Sequence, residues 1–271
     1  SWTERDTMLY ALGVGAGLGD PESELHFTTE NTGGITLQAI PSFITILAGS
    51  AGPPSLTSLD IGYFLHAEQS VELLRPLPPT GHGFIRNRVE SVEDKGHGKG
   101  AIVRNAATLY ADAQEQTIIG RSCSAIYVMQ GGGFGGPRPA SDSLPFPERA
   151  ADYAVEYETR PEQALLYRLS GDRHRLHSDP LFASERNFPR PILHGLCTYG
   201  FTCRALIASV AIDRALRLSE MTARFVKPAL PGERLITQIW RDDAAEHAVR
   251  FRTLNTAGEA VLERGTARFT A

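Results

Sequence analysis

Arg75-Pro76-Leu77-Pro78-Pro79 in the first half of the chain is echoed by Lys227-Pro228-Ala229-Leu230-Pro231 in the second, at an offset of 152 residues. Further along, Thr108-Leu109 recurs as Thr253-Leu254, and Gly120 after Ile118-Ile119 recurs as Gly265 following Val261-Leu262, at an offset of 145. A longer loop in the first half accounts for the seven-residue difference, and Asp94-Lys95-Gly96-His97-Gly98-Lys99-Gly100 has the composition of that loop. A unit of about 130 to 150 residues, present twice, is the simplest reading.

The same order of signals recurs in each unit. In the second, Ile192, Leu193, Leu196, Tyr199, Cys203, Leu206 and Ile207 repeat at i, i+3, i+4 spacing, the apolar face of a helix. After the Pro-rich turn come strand patterns at 235–241, 248–254 and 260–269. Val249, Phe251 and Thr253 alternate with Arg250 and Arg252, the period of a sheet with one wet face. Thr256-Ala257-Gly258-Glu259 joins the last two as a hairpin. The first unit repeats the strands at 83–92, 101–111 and 118–128. A helix wrapped by an antiparallel sheet, made twice, is an α+β architecture. On this reading the chain divides into 1–130, a linker at 131–150, and 151–271.

The Gly-rich stretch Gln130-Gly131-Gly132-Gly133-Phe134-Gly135-Gly136-Pro137-Arg138-Pro139 invites a phosphate-loop reading. It lacks the Lys-Ser/Thr of such a loop and no helix pattern follows it, so it reads as a connector.

Composition narrows the function classes. Over 271 residues, 42% are apolar and 21% charged, the balance of an ordinary folded protein. With 27 basic against 31 acidic side chains and a net charge of -4, nothing argues for nucleic acid or an anionic membrane as the main partner. Cys123, Cys197 and Cys203 form no paired motif, which fits a reducing compartment, and a cytoplasmic protein is expected. The apolar run from Met8 to Gly19 is short, Gly-rich and preceded by Glu4-Arg5-Asp6, unlike a membrane span or a signal peptide. The C-terminal Phe-Thr-Ala is not the Ser-Lys-Leu peroxisomal address.

The densest polar cluster is Tyr167-Arg168-Leu169-Ser170-Gly171-Asp172-Arg173-His174-Arg175-Leu176-His177-Ser178-Asp179-Pro180. Ser-Gly-Asp is a turn and Asp-Pro closes the segment. If the chain between them loops back, Asp172 and His177 converge as a carboxylate and an imidazole. The imidazole, with an ordinary pKa near 6.5, can exchange a proton near neutral pH, and the carboxylate can orient a water beside it. A surface loop carrying both residues by chance is the competing account.

This segment, with Pro191-Ile192-Leu193-His194-Gly195-Leu196-Cys197-Thr198-Tyr199-Gly200-Phe201 after it, resembles the hydratase 2 motif of the MaoC-like (R)-specific enoyl-CoA hydratases. That family includes the hydratase unit of peroxisomal multifunctional enzyme type 2. The likeness covers nearly the whole chain: residues 4–15 resemble the family's first helix and Gly132-Gly133-Phe134-Gly135-Gly136 its linker. It implies a double hot-dog fold, each half a helix cradled by a curled sheet.

The resemblance also implies site residues. Asp172 and His177 match the catalytic pair that holds the water added to a trans-2-enoyl thioester. Gly195 matches the residue whose N–H binds the thioester carbonyl. His66-Ala67 stand at the family's His-Gly pair, Lys95-Gly96 at its Lys-Gly, and Phe225 at the Phe before the second Lys-Pro turn. Lys95 is equally at home as a solvated loop residue, Phe225 as core, and His66 as a buried, hydrogen-bonded histidine.

There are two departures. His174 and Arg175 replace the family's Asn and Pro, so His174 is expected to take over a polar contact to the water and to alter the pH dependence. Ala67 replaces Gly and adds a methyl near the thioester path.

The activity implied is reversible (R)-specific hydration of 2-enoyl-CoA. No metal and no separate cofactor are expected, CoA being part of the substrate. The first half lacks the Asp–His loop and has Pro41-Ser42-Phe43 in place of His194-Gly195-Leu196. One active site per chain is therefore expected, with the first half shaping an acyl-tail pocket for medium, long or sterol-derived chains. A dehydratase for carrier-protein thioesters and a non-catalytic acyl-CoA-binding subunit are the alternatives, a thioesterase a weaker one. A homodimer is possible in either case.

Overall fold

In the computed structural model, residues 1–49, 64–139, 146–211, 216–242 and 245–271 are described. Among these residues nine antiparallel strands form one sheet: β1 (Phe64–Leu73), β2 (Phe84–Asp94), β3 (Ala101–Tyr110), β4 (Ile118–Val128), β5 (Tyr153–Glu158), β6 (Arg217–Phe225), β7 (Arg234–Arg241), β8 (Ala248–Leu254) and β9 (Ala260–Thr270). Their order is β2-β3-β4-β1-β6-β9-β8-β7-β5. The first four run 2-3-4-1 and their counterparts run 7-8-9-6, so the duplicated sequence is a duplicated topology. The two copies meet where β1 pairs with β6, Glu68 opposite Arg224 and Ser70 opposite Thr222.

All six strands expected from the sequence are present. β1, β5 and β6 carry no clear strand pattern in the sequence, because mixed stretches such as Glu68-Gln69-Ser70-Val71-Glu72 lack clean alternation. The hairpin loop is not the source of the changed offset. The β2–β3 and β7–β8 connections, 95–100 and 242–247, are equally long; the change accumulates instead in the preceding turn (74–83 against 226–233), in β2, with 11 residues against 8 in β7, and in β3, with 10 against 7 in β8. β5 has only a trace of a counterpart: an isolated bridge between Trp2 and Gly81, just ahead of β2.

Among the described residues six helices accompany the sheet: α1 (Glu4–Gly13), α2 (Leu25–Thr28), α3 (Ile44–Gly49, entered through a tight turn at Pro41–Phe43), α4 (Gln163–Tyr167), α5 (Pro180–Ser184) and α6 (Gly195–Val210). The predicted central helix of the second unit is α6. Ile192 and Leu193 lie ahead of it in extended chain, where the Leu193 N–H donates to Ala229 of the second Pro-rich turn. α6 is buried on more than one face, because the sheet curls round it. Thr198, Thr202 and Arg204 are buried along with Tyr199, Phe201 and Leu206, so a polar residue inside must find a partner. Thr202 meets Thr253 at 2.8 Å, and Arg204 meets Glu24 and the Val14 carbonyl.

α1 seats the two halves against each other. Its capping box at Thr3 and Asp6 fixes the start, and the buried Tyr10 packs against Phe43, tilted, at 5.1 Å and approaches Tyr167 at 6.1 Å. The Gly-rich connector is shaped by an internal anion. The Asp94 carboxylate accepts the N–H groups of Gly96, Gly133 and Gly135, each at 2.7 Å. Glycine is required here: Gly96, Gly133 and Gly135 have φ of 101°, 94° and 79°. Residues 140–145 of the connector lie outside the described residues.

Candidate active site

α4 passes into a tight turn at Arg168–Ser170 and is stopped by Gly171, whose φ of 141° turns the chain sharply. Asp172 follows. One of its oxygens accepts the His174 N–H at 3.1 Å, an Asx turn that starts the loop back. A second tight turn, Arg175–His177, delivers His177. Asp179 then caps α5, accepting from Leu181 and Phe182, and is clamped by Arg175 at 2.6 Å. The loop is zipped onto the chain entering α6: the Ile192 N–H donates to Leu176, and the Ile192 carbonyl accepts from Nδ1 of His177 at 3.0 Å.

Asp172 and His177 therefore converge as the loop-back reading requires, and His194 joins them. One ligand-type atom from each of the three lies within 4.8 Å of the others. The His177 and His194 rings stack at 3.7 Å and 26°. Because a carbonyl can only accept, Nδ1 of His177 carries the proton and its Nε2 keeps the lone pair. Burial pushes the His177 pKa below the ordinary imidazole value, against the opposing pull of the Ile192 carbonyl and Asp172. His194 is pushed down too, first by burial and then by His177 itself.

Gly195 is the first residue of α6. Its N–H has no acceptor among the described residues, points out of the helix start and feels the positive end of the dipole. Phe225, at the end of β6, packs against it: a Cβ added at 195 would stand 3.0 Å from the ring. The His66 ring packs against Phe225, tilted by 49° at 4.7 Å, and Asp172 is among the charges it feels. Ala67 occupies a β-bulge between His66 and Glu68, which re-aims the strand at this point. The His66 N–H donates to Glu68 at 3.1 Å, and burial lowers its pKa to about 4.

Lys95 does not join this cluster. Its ammonium lies over the Tyr127 ring at 5.1 Å. Tyr127 pairs with Leu65, next to His66, so Lys95 belongs to the same end of the sheet. His174 is exposed on the rim. It caps the Arg175–His177 turn, its Nδ1 accepting from Leu176 at 3.3 Å, and its ring stands edge-on to His177 at 6.1 Å. A cavity of about 240 Å³ opens between α1, α3, β2 and β3, lined by Leu9, Phe43, Ile46, Leu109 and Leu169. It reaches Ser170, two residues before Asp172.

Residues 1–129 match the model of the MFE-2 hydratase 2 N-terminal domain, and residues 143–262 match the MaoC like domain. The chain is 40% identical to 3-hydroxyacyl-thioester dehydratase Y of Mycobacterium tuberculosis, over 100% of this chain and 93% of that one. The chain belongs to the MaoC-like hydratase 2 family. Enoyl-CoA hydratase ChsH3 of the same organism is also 40% identical, over 89% of this chain and 84% of that protein. The crystal structure of a MaoC-like dehydratase from Phytophthora capsici superposes with a TM-score of 0.85 at 31% identity, covering 99% of this chain and 92% of that one. The hot-dog architecture expected from the family resemblance is the architecture observed.

Sequence reasoning passed over His194, although it stands in the quoted Pro191–Phe201 stretch. The available signal was its place immediately before a helix start, where Ser, Thr, Asn or Asp is usual.

Proposed function

We propose that the protein is an (R)-specific 2-enoyl-CoA hydratase, a hydro-lyase that also runs as a 3-hydroxyacyl-CoA dehydratase. One observation carries the reading: the His177 Nδ1–H is committed to Ile192, so the Nε2 lone pair is free beside the Asp172 carboxylate, next to a helix start with an unpaired N–H at Gly195. The thioester carbonyl takes the Gly195 N–H, and electron density drains from C3. A water held by Asp172 and His177 gives its oxygen to C3 and a proton to the pair. The π electrons pass to C2 and the carbonyl, where the helix dipole and N–H stabilise the enolate-like oxygen. The pair then returns a proton to C2, completing the addition.

Asp172, His177 and His194 could each offer a ligand atom to a metal. Nδ1 of His177 and Nε2 of His194 already donate to main-chain carbonyls, leaving one nitrogen on each ring, and the chain carries no HExxH or Cys-x-x-C ligand pattern. The reading therefore assigns no metal and no separate cofactor.

His66 and Phe225 line the thioester approach, with Ala67 in the bulge narrowing it, and Lys95 offers a flexible point charge to the nucleotide phosphates. His174 tunes His177 from the rim. The first unit, 1–130, supplies the acyl-tail pocket, and 151–271 the chemistry. The cavity that runs from α1 and α3 to Ser170 supports medium, long or sterol-derived acyl groups. The free thiols Cys123, Cys197 and Cys203 support a cytoplasmic setting. No helix among the described residues is long and apolar enough to cross a membrane. The open edge of β2, with Phe84, Val89 and Val92 exposed, supports a homodimer.

The test is chiral analysis of the product formed from enoyl-CoAs of graded length. Formation of 3R-hydroxyacyl-CoA, best with decenoyl or longer chains, is expected. Asp172→Asn and His177→Ala should each lose roughly 10²–10⁴ in kcat. Crotonyl-CoA as the best substrate would count against the tail pocket, and release of free thiol would identify a thioesterase instead.

A further inference from the structure

We propose that His194 is a positioning residue that locks Asp172, His177 and the oxyanion-binding start of α6 into one unit; the proposal rests on the hydratase reading. His194 is the N-cap of α6, yet its side chain makes no capping bond. An N-cap side chain that accepts from the first turn ordinarily contributes about 1 kcal/mol, and His194 forgoes it. Its ring turns away from the helix instead. Nε2–H donates to the main-chain carbonyl of Asp172 at 3.2 Å, which ties the catalytic turn to the residue before Gly195.

The ring is held on two sides, by His177 at 3.7 Å and by Tyr167 at 4.9 Å. With 1% of the residue exposed, the ring is enclosed by its neighbours. The stack, 26° from parallel, restrains the plane of His177, and the Nδ1 bond to Ile192 sets its rotation within that plane; together they aim the Nε2 lone pair. Since Nε2 of His194 carries the proton, Nδ1 is unprotonated, and it has no hydrogen-bond partner among the described residues. A second proton there would place a buried cation against His177. His194 accordingly stays neutral while His177 gains and loses its proton, and it presents a π face to the transient imidazolium. On this assignment it acts through Asp172 and His177, the two groups that hold the water.

Two variants separate placement from mere stability. His194→Ala removes both the stack and the bond to Asp172; His194→Phe keeps a ring of similar size and removes only the bond. Each is assayed for kcat and KM on decenoyl-CoA, for thermal midpoint, and for the His177 tautomer by long-range ¹H–¹⁵N spectra of the imidazole nitrogens. His194→Ala should lower kcat roughly 10²-fold with KM changed less than about threefold, the cost of a misplacement near 1 Å. Its His177 signals should move from a single Nδ1–H form to a mixture. His194→Phe should recover part of the lost rate, ending about tenfold below wild type. If His194→Ala keeps kcat within about threefold, or leaves the His177 tautomer unchanged, the proposal is overturned; so too if kcat and KM shift in equal measure. Should His194→Ala not fold, His194→Phe with wild-type kcat and an unaltered His177 spectrum overturns it alone. A wild type that hydrates no enoyl-CoA defeats the hydratase reading instead, and the His177 spectra then decide the positioning on their own.

Discussion

Phe225 occupies the space that a side chain at Gly195 would need: a Cβ built there lies 3.0 Å from Cε1 and 3.1 Å from Cδ1 of the ring. Gly195 is the first residue of α6 rather than an interior one, so the helix preference for alanine is small here, and the Phe225 ring must give way. Gly195→Ala should therefore leave the thermal midpoint unchanged or slightly lower, while activity falls far more. The added methyl displaces the Phe225 ring, and the N–H no longer meets the thioester at the same place, for a loss of roughly 10–10² in kcat/KM. Phe225→Leu in the same chain should recover part of that loss. A Gly195→Ala enzyme of full activity would remove this N–H from the mechanism.

The acid limb of the rate profile should report His177. Burial holds its pKa below the ordinary value near 6.5, so the neutral, base-competent form persists below pH 6.5 and activity falls only under that point. Around the ring, Asp172 and the Ile192 carbonyl favour protonation, whereas His174 and Arg168 disfavour it. His174→Asn removes one disfavouring group, and the limb should shift to higher pH. A kcat profile that is unmoved in His174→Asn would show that the two imidazoles do not couple.

His66 gives a stability signature of its own. Its folded pKa is lowered to about 4, so between pH 6.5 and 4 the unfolded chain binds a proton that the folded chain refuses. Stability therefore falls as pH falls through that window, by an amount on the order of 3 kcal/mol from this residue. Urea denaturation at pH 7.5 and 4.5 should show a smaller drop for His66→Gln than for wild type. Equal drops would mean that His66 is not held neutral by burial.

The fold was legible where the period was clean. Val249, Phe251 and Thr253 face inward in β8 as their alternation requires, and the echo of the Pro-rich turns marks the two copies. β1 and β6 escaped notice because their outer faces are charged: Glu68 pairs with Arg104 and Arg224, and Glu72 with Arg121. Alternation of apolar and polar residues is diluted when long charged side chains cover the sheet. In the site, Asp172 and His177 could be named because a turn sequence separates them. His194 could not: its importance lies in a ring stack and a bond to a main-chain carbonyl 22 positions earlier, and neither leaves a local pattern. Lys95 shows the converse, a matched motif residue whose visible partner is the Tyr127 ring rather than the catalytic cluster.

The Arg204–Glu24 pair should be worth more to stability than any surface ion pair of the molecule. Arg204 sits on α6 with 2% of its side chain exposed, and Glu24 with 17%. The guanidinium gives Nε to Glu24 at 3.0 Å and Nη1 to the Val14 carbonyl at 2.9 Å, and lies over the Tyr157 ring at 4.3 Å. Glu24 also accepts the Gly17 N–H at 3.1 Å. The pair thus fastens the chain after α1 to the central helix of the other unit. Removing one partner strands a buried charge, so Glu24→Gln and Arg204→Met should each cost about 3–5 kcal/mol in urea denaturation. The double variant should cost clearly less than the two together, because neither charge is then left unpaired. Additive losses, or a single loss below about 1 kcal/mol as at an exposed pair, would show that the N-terminal segment is held by its apolar contacts alone.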